Sequence, residues 1–116
     1  MYDASNRGIG FPMISRGRDD REHNPLLRAE RFPLGRTVAT PGAIESVPPS
    51  EMLRAMRRHA KGDWGDLDVE DLRANDDALK SGGRLVSAYR TEGGTKFWII
   101  TEADRSATTV LLPEEY

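Results

Sequence analysis

The sequence predicts an α+β domain in which two helices pack on a C-terminal three-stranded antiparallel meander, preceded by a disordered N-terminal tail. Three observations lead there. Residues 84–116 hold three runs rich in β-branched and aromatic side chains, RLVSAYRT, TKFWIITE and ATTVLLP, separated by short polar or glycine-rich links. Upstream, EMLRAMRRHAK and DVEDLRANDDALK place apolar residues at helical spacing. Residues 1–33 show neither period and are broken by Gly8, Gly10, Pro12, Gly17, Pro25 and Pro33.

Composition sets the bounds. A chain of 116 residues suits one domain with one core. Seventeen basic against nineteen acidic residues give a net charge of −2, so no global field argues for nucleic acid or membrane. The absence of cysteine removes a disulfide framework and thiolate metal sites, and it fits the cytosol. No apolar run approaches the ~18 residues that cross a bilayer. The first fifteen residues carry Gly, Pro, Asn and charges where a secretion signal needs an apolar stretch. The expectation is a soluble cytoplasmic protein with no membrane partner.

Taken in order, 1–33 reads as an irregular tail and 34–116 as a single small domain. LGRTVAT, over 34–40, is a short edge strand or an extended lead-in, stopped by Pro41-Gly42. Residues 43–47 add a helical turn that Pro48-Pro49 ends. Ser50 stands at the expected N-cap of the first main helix, with Glu51 favourable in its first turn. On that helix Met52, Leu53, Met56 and Ala60 form an apolar quadrant opposite Arg54, Arg57, Arg58 and Lys61, with His59 at the stripe's edge. Trp64 pins the following turn against the core. Burying an indole contributes about 2–3 kcal/mol.

Asp68 caps the second main helix, on which Leu72, Asn75 and Leu79 share a face, and Ser81-Gly82-Gly83 ends it. Asn75, polar between leucines, is expected to bond a loop carbonyl. In the meander, a two-residue turn at Gly93-Gly94 sets Tyr89 opposite Trp98, Ser87 opposite Ile100, Ala88 opposite Ile99 and Val86 opposite Thr101. The second link sets Thr101 opposite Thr108 and Ile99 opposite Val110. One face then carries Val86, Ala88, Phe97, Ile99, Val110 and Leu112. The other carries Tyr89, Trp98, Ile100 and Leu111, which is either wrapped by the rest of the chain or displayed to a partner.

Most chemistries fail on the residues. His23 and His59 are the only histidines, too few for the common zinc spacings. The run starting at Asp66 imitates a calcium loop but has Asp71 where the sharp-turn glycine belongs and Asp77 at the anchoring glutamate position. Gly8-Ile9-Gly10 lacks a preceding strand and a third glycine. No metal and no cofactor is expected. For nucleophilic catalysis Ser87 or Ser106 with His59 is the only pairing on offer. A metal-free ribonuclease needs a base, an acid and a cation for the strained phosphate. His59, Arg84, Arg105, Thr101 and Thr108 supply those types, with Tyr89 and Arg90 nearby in sequence.

From about residue 34 onward, and most densely in GDWGDLDVEDLRANDDAL, GGRLVSAY and WIITEADRSATTVLLPEEY, the chain resembles a family of small proteins borne on plasmids and integrated mobile elements. Its members carry the labels plasmid-related protein or type I restriction methylase subunit. A methyltransferase needs a cofactor-binding α/β domain with a glycine-rich strand-to-helix turn, which these residues lack. Two helices followed by antiparallel strands also look like the ribonuclease toxins of the barnase and RelE type, an analogy of fold alone.

The resemblance and the incomplete catalytic sets together imply an accessory module of a mobile element. It would act by contact with a macromolecule, protein or nucleic acid, through Arg54, Arg57 and Arg58 or through Tyr89 and Trp98. The alternative is the ribonuclease toxin. A third expectation is charge mimicry of nucleic acid. Residues 61–80 hold seven acidic against three basic residues, and Glu114 and Glu115 add to them at the chain end.

Overall fold

The computed structural model describes residues 30–116. The chain runs through β1 (Arg36–Ala39), α1 (Pro41–Ser46), α2 (Pro49–Ala60), α3 (Val69–Ser81), β2 (Leu85–Arg90), β3 (Lys96–Thr101), β4 (Ala107–Leu111) and a closing 3-10 turn (Pro113–Glu115). The strands form one sheet in the order β1-β4-β3-β2. β2, β3 and β4 make the expected antiparallel meander. The 34–40 segment is a true strand that joins β4 in parallel, so the sheet is mixed. The α+β class therefore holds, with one more strand and one more short helix than the two-helix, three-strand outline.

Most of the expected tail, residues 1–29, lies outside the described residues. Its last part belongs to the fold: Arg31 N–H donates to Ala60 O at 2.8 Å, and Phe32 is buried in a cluster with Trp64 and Leu85. Ser50 is not the N-cap of α2. Pro48 occupies that place and Pro49 is the first helical residue, where a fixed φ and a missing N–H cost nothing. Asp68 does cap α3, accepting from Asp71 N at 2.8 Å, and Gly82 ends it in the left-handed region at φ 87°.

The first hairpin departs from expectation by one residue. Its loop is Glu92-Gly93-Gly94. Thr91 N donates to Thr95 O at 2.9 Å, Thr95 N donates to Thr91 Oγ1 at 3.0 Å, and Gly94 alone takes a positive φ, 92°. A three-residue loop with glycine in the left-handed position satisfies the hairpin as well as a two-glycine turn does. The pairs become Tyr89 with Phe97, Ala88 with Trp98, Ser87 with Ile99 and Val86 with Ile100. A slip of one residue moves every side chain of a strand to the other face. Leu85, Ser87 and Tyr89 thus join Phe97, Ile99, Thr101, Thr108 and Val110 on the inner face, while Val86 and Ala88 go out with Trp98. The β3–β4 register is as expected, Thr101 with Thr108 and Ile99 with Val110.

The inner face is the core. Ala43 of α1, Val47 just after it, and Met52, Ala55 and Met56 of α2 pack on Tyr89, Phe97, Ile99 and Val110. Positions 52, 55, 56, 59 and 60 of α2 are all buried, so the inward stripe centres nearer His59 than the sequence indicated, and Leu53 is only half-buried. A second cluster joins Phe32, Trp64 and Leu85, with Leu72, Ala78 and Leu79 of α3 against it.

The free edge of β2 is sealed by side chain and loop. Asn75 does not reach a loop carbonyl but imitates a strand, donating to Val86 O at 2.6 Å and accepting from Val86 N at 3.0 Å. One pair further along, Asp66 N donates to Ala88 O and Ala88 N to Trp64 O. Gly65 is required between them, because a Cβ there would sit 2.0 Å from Ala88 O. Covering an edge in this way blocks pairing with another chain.

Glu115 ties down the chain end. Its carboxylate accepts from the Thr40 hydroxyl at 2.5 Å, Leu112 N at 2.8 Å and Gly42 N at 3.1 Å, closing the N-terminus of α1. Desolvation pushes its pKa up, but those three donors hold it below the usual carboxylate range. It is spent inside the fold, which leaves Glu114 without the neighbour that charge mimicry assigned to it. No described helix is long and apolar enough to cross a membrane.

Candidate functional site

Helix α2 projects the chemistry-bearing residues in two directions. Inward, His59 sits between the sheet and the residues that strap over it, fully buried. Its Nδ1 lies 2.5 Å from Ser87 Oγ and its Nε2 2.8 Å from Thr101 Oγ1. Thr101 Oγ1 is 2.7 Å from Thr108 Oγ1, which donates to Leu34 O at 2.7 Å. The edge of the Phe32 ring, at 5.3 Å between centroids, and Trp64, at 5.5 Å, close the remaining sides.

The proton positions follow from the last acceptor. A carbonyl only accepts, so Thr108 spends its single hydroxyl proton on Leu34, and Thr101 must donate to Thr108. Thr101 then has only a lone pair to offer His59, which makes Nε2 the protonated nitrogen. Nδ1 is left as acceptor for the Ser87 hydroxyl. With a neutral imidazole the chain Ser87, His59, Thr101, Thr108, Leu34 runs one way and leaves neither ring nitrogen without a partner. Burial, helped by the positive charge of Arg105, lowers the His59 pKa to about 3, which keeps the ring neutral.

The five residues of the ribonuclease set do not share a cleft. His59, Thr101 and Thr108 are together but enclosed, all three with no exposed surface. Arg105 lies over the Phe32 ring, its guanidinium carbon 5.7 Å from the ring's centre. It is consumed by four carbonyls: Ala78 and Gly83 at the end of α3, and Glu102 and Ala103 in its own loop. Its φ of 62° holds it in the left-handed region to make that span. Arg84 is elsewhere again. It donates to the Tyr116 hydroxyl at 2.9 Å and faces Glu102 at 3.8 Å.

Tyr89 and Trp98 do not form the expected joint surface. They lie on opposite faces of the sheet, separated by the one-residue shift of the hairpin. Tyr89 is buried, with its hydroxyl donating to Asp63 O at 2.6 Å, and burial pushes its phenol well above the ordinary value. Trp98 is half-buried on the outer face, edge-on to Tyr116 at 5.5 Å.

Outward, α2 presents Arg54, Arg57, Arg58 and Lys61. Arg58 grips Asp63 with two bonds, Nε at 2.7 Å and Nη2 at 3.2 Å, and stacks 4.8 Å above the Tyr89 ring. The Asp63 hydrogen bond raises the Arg58 pKa, and the same bond lowers that of Asp63. Arg54, Arg57 and Lys61, the last at the C-cap, form no ion pair with any described residue and fall at i, i+3 and i+7 along one ridge, with Arg54 and Lys61 exposed and Arg57 half-buried. Glu51, the carboxylate best placed to neutralise Arg54, accepts instead from Glu92 N at 2.7 Å.

Sequence reasoning named Ser87 beside His59 only as one of two pairings. It assigned no partner to Asp63, whose position five residues after Arg58 was the available signal. Among the described residues no group of three or more His, Asp or Glu is placed to hold a metal ion. No family model, curated protein or solved structure matches the chain.

Proposed function

We propose that this chain is a small cytoplasmic accessory protein of a mobile genetic element and that it works by binding a macromolecule at the outer ridge of α2. The mobile-element part rests on the sequence resemblance. The binding part rests on one observation: His59, Ser87, Thr101 and Thr108 are sealed and bonded to one another, while Arg54, Arg57 and Lys61 pair with no carboxylate among the described residues. A general base must reach the proton that it removes, and His59, with no exposed surface and a neutral ring, has no substrate within reach.

Cross-linking in the native host followed by mass spectrometry tests this. The expected result is a macromolecular partner attached near α2 and lost in Arg54→Glu/Arg57→Glu. Recovery of no partner, or capture indifferent to that variant, overturns the reading. The metal-free ribonuclease remains the rival because three of its residues, His59, Thr101 and Thr108, do meet, at 2.8 and 2.7 Å. Growth arrest and RNA cleavage on expression, abolished by Arg105→Ala in a folded protein, would decide for it.

A further inference from the structure

We infer that the partner of the α2 ridge is the phosphodiester backbone of nucleic acid, bound without regard to base sequence. The inference rests on the binding reading above and names its partner. Arg54, Arg57 and Lys61 are spaced three and four residues apart, so the Cβ atoms of neighbouring cationic residues stand about 5–6 Å from each other along the ridge. The ridge is about 10 Å long at 1.5 Å per residue. That is the scale on which successive phosphates recur along a strand, and two of the three cations carry the planar guanidinium fork that matches phosphate oxygens.

An acidic protein offers the same sign of charge, but a protein interface needs more. Its affinity comes from a desolvated apolar centre ringed by polar groups, with aromatic or aliphatic anchors. The ridge has none. Among the described residues the large exposed hydrophobic ones are Val69, on α3, and Tyr116, at the chain end. A nucleic-acid backbone, in contrast, is held by cations alone through release of its counterions. The ridge also carries no aromatic platform and no Asn or Gln for reading base edges, which is why sequence independence is part of the inference.

The helix already accounts for some of these charges. Cations in a last turn complement the helix dipole, and Arg57 and Arg58 lie in that of α2. Arg54 lies outside the last turn and Arg58 is satisfied by Asp63, so neither the dipole nor a local carboxylate explains the whole row.

The test is fluorescence anisotropy of a labelled random-sequence 30-bp duplex, titrated with the full chain from 50 to 200 mM salt. Three phosphate contacts predict a log–log salt slope of about −3. Arg54→Glu/Arg57→Glu/Lys61→Glu should abolish binding, whereas Arg73→Glu/Lys80→Glu, on α3, should leave it within about twofold. Near-UV circular dichroism of Trp64 verifies folding, and Arg54→Gln/Arg57→Gln, with a slope smaller by about 2, serves if the triple reversal misfolds.

Absence of binding at 50 mM salt overturns the inference, as does binding that survives the triple reversal. Displacement by poly-glutamate as effective as that by unlabelled duplex also overturns it, in favour of an acidic protein. If duplex binding fails while the cross-linked partner is still lost in the α2 variants, the binding reading stands and only this choice of partner falls.

Discussion

The two sides of α2 treat polar groups in opposite ways. Toward the sheet, His59 is enclosed and every polar atom of its ring has one partner in a directed chain to Leu34. Toward solvent, one turn away, Arg54, Arg57 and Lys61 form no ion pair with any described residue. A polar group that is satisfied where it is buried specifies the fold. A group left unsatisfied where it is exposed is available to something outside the fold. Residue type alone does not separate the two roles, since a histidine and an arginine are equally plausible as site residues. Enclosure and partnering do.

The sharpest way to break that contrast is to remove the buried member. His59→Ala leaves a cavity and strips Ser87 and Thr101 of a partner, and the two losses together should destabilise the fold by about 3–5 kcal/mol in urea unfolding. Replacing the group and its neighbours by apolar side chains, as in His59→Leu/Ser87→Ala/Thr101→Val, should recover most of this, because no buried donor is then orphaned. A loss under 1 kcal/mol for His59→Ala would mean that the buried chain is not structural, and the catalytic reading of His59 would regain its standing.

Next in size is a dependence on pH. In the unfolded chain His59 takes up a proton below its ordinary value of 6.5, whereas in the fold it does so only near 3. Between those values the unfolded state binds one more proton, so stability is greatest above about 6.5 and falls as the pH is lowered. The slope approaches about 1.4 kcal/mol per pH unit for a single proton. The groups facing the ring are the Ser87 and Thr101 hydroxyls, the Phe32 and Trp64 rings and, over the Phe32 ring, Arg105, so no carboxylate offsets the effect.

Asp63 and Glu115, whose pKa values are depressed in the fold, contribute stability that fails only below the ordinary carboxylate range. The window from pH 5 to 6.5 therefore belongs to His59. Stability curves across it should be sloped in the wild type and nearly flat in the His59→Leu triple variant. Equal slopes in both would show that the ring is not held neutral.

How much of this was legible in advance depends on how local each determinant is. The class, the meander and the amphipathic α2 were readable, because periodicity and turn residues act over a few neighbours. So was the cap at Asp68. The site was harder. The inward position of Ser87 and Tyr89 depends on whether Thr91 pairs with Thr95 and lends its hydroxyl to the loop, a choice between two acceptable hairpin closures that glycine content does not decide. One residue of register turned Tyr89, a candidate for aromatic display beside Trp98, into a buried side chain, and it brought Ser87 to His59. The edge role of Asn75 was likewise invisible, since it depends on β2 arriving ten or so residues later with an open side.

The register itself can be tested by a smaller effect. A two-glycine turn of the expected kind needs positive φ at both Gly93 and Gly94, whereas here only Gly94 has it, at 92°. Both glycines have room for a methyl group, so the difference between them is one of backbone conformation. Gly94→Ala should lose about 1 kcal/mol from placing an L side chain in the left-handed region, and Gly93→Ala should be neutral or slightly stabilising. Equal losses at both would restore the two-residue turn, put Tyr89 beside Trp98, and detach Ser87 from His59.

The smallest expected change lies on the outer side, and its smallness is its use. Arg54→Glu/Arg57→Glu removes no contact within the described fold, so thermal or urea stability should move by no more than about 0.5 kcal/mol. A few tenths of that are expected from Arg57, which sits in the last turn where a cation complements the helix dipole. Arg58→Ala should cost more, about 1 kcal/mol, because it gives up the two bonds to Asp63 and the stack on Tyr89. If instead the Arg54/Arg57 pair cost as much as Arg58, those arginines would be working for the fold. The ridge would then have nothing left to offer a partner, and the division between the two sides of α2 would disappear.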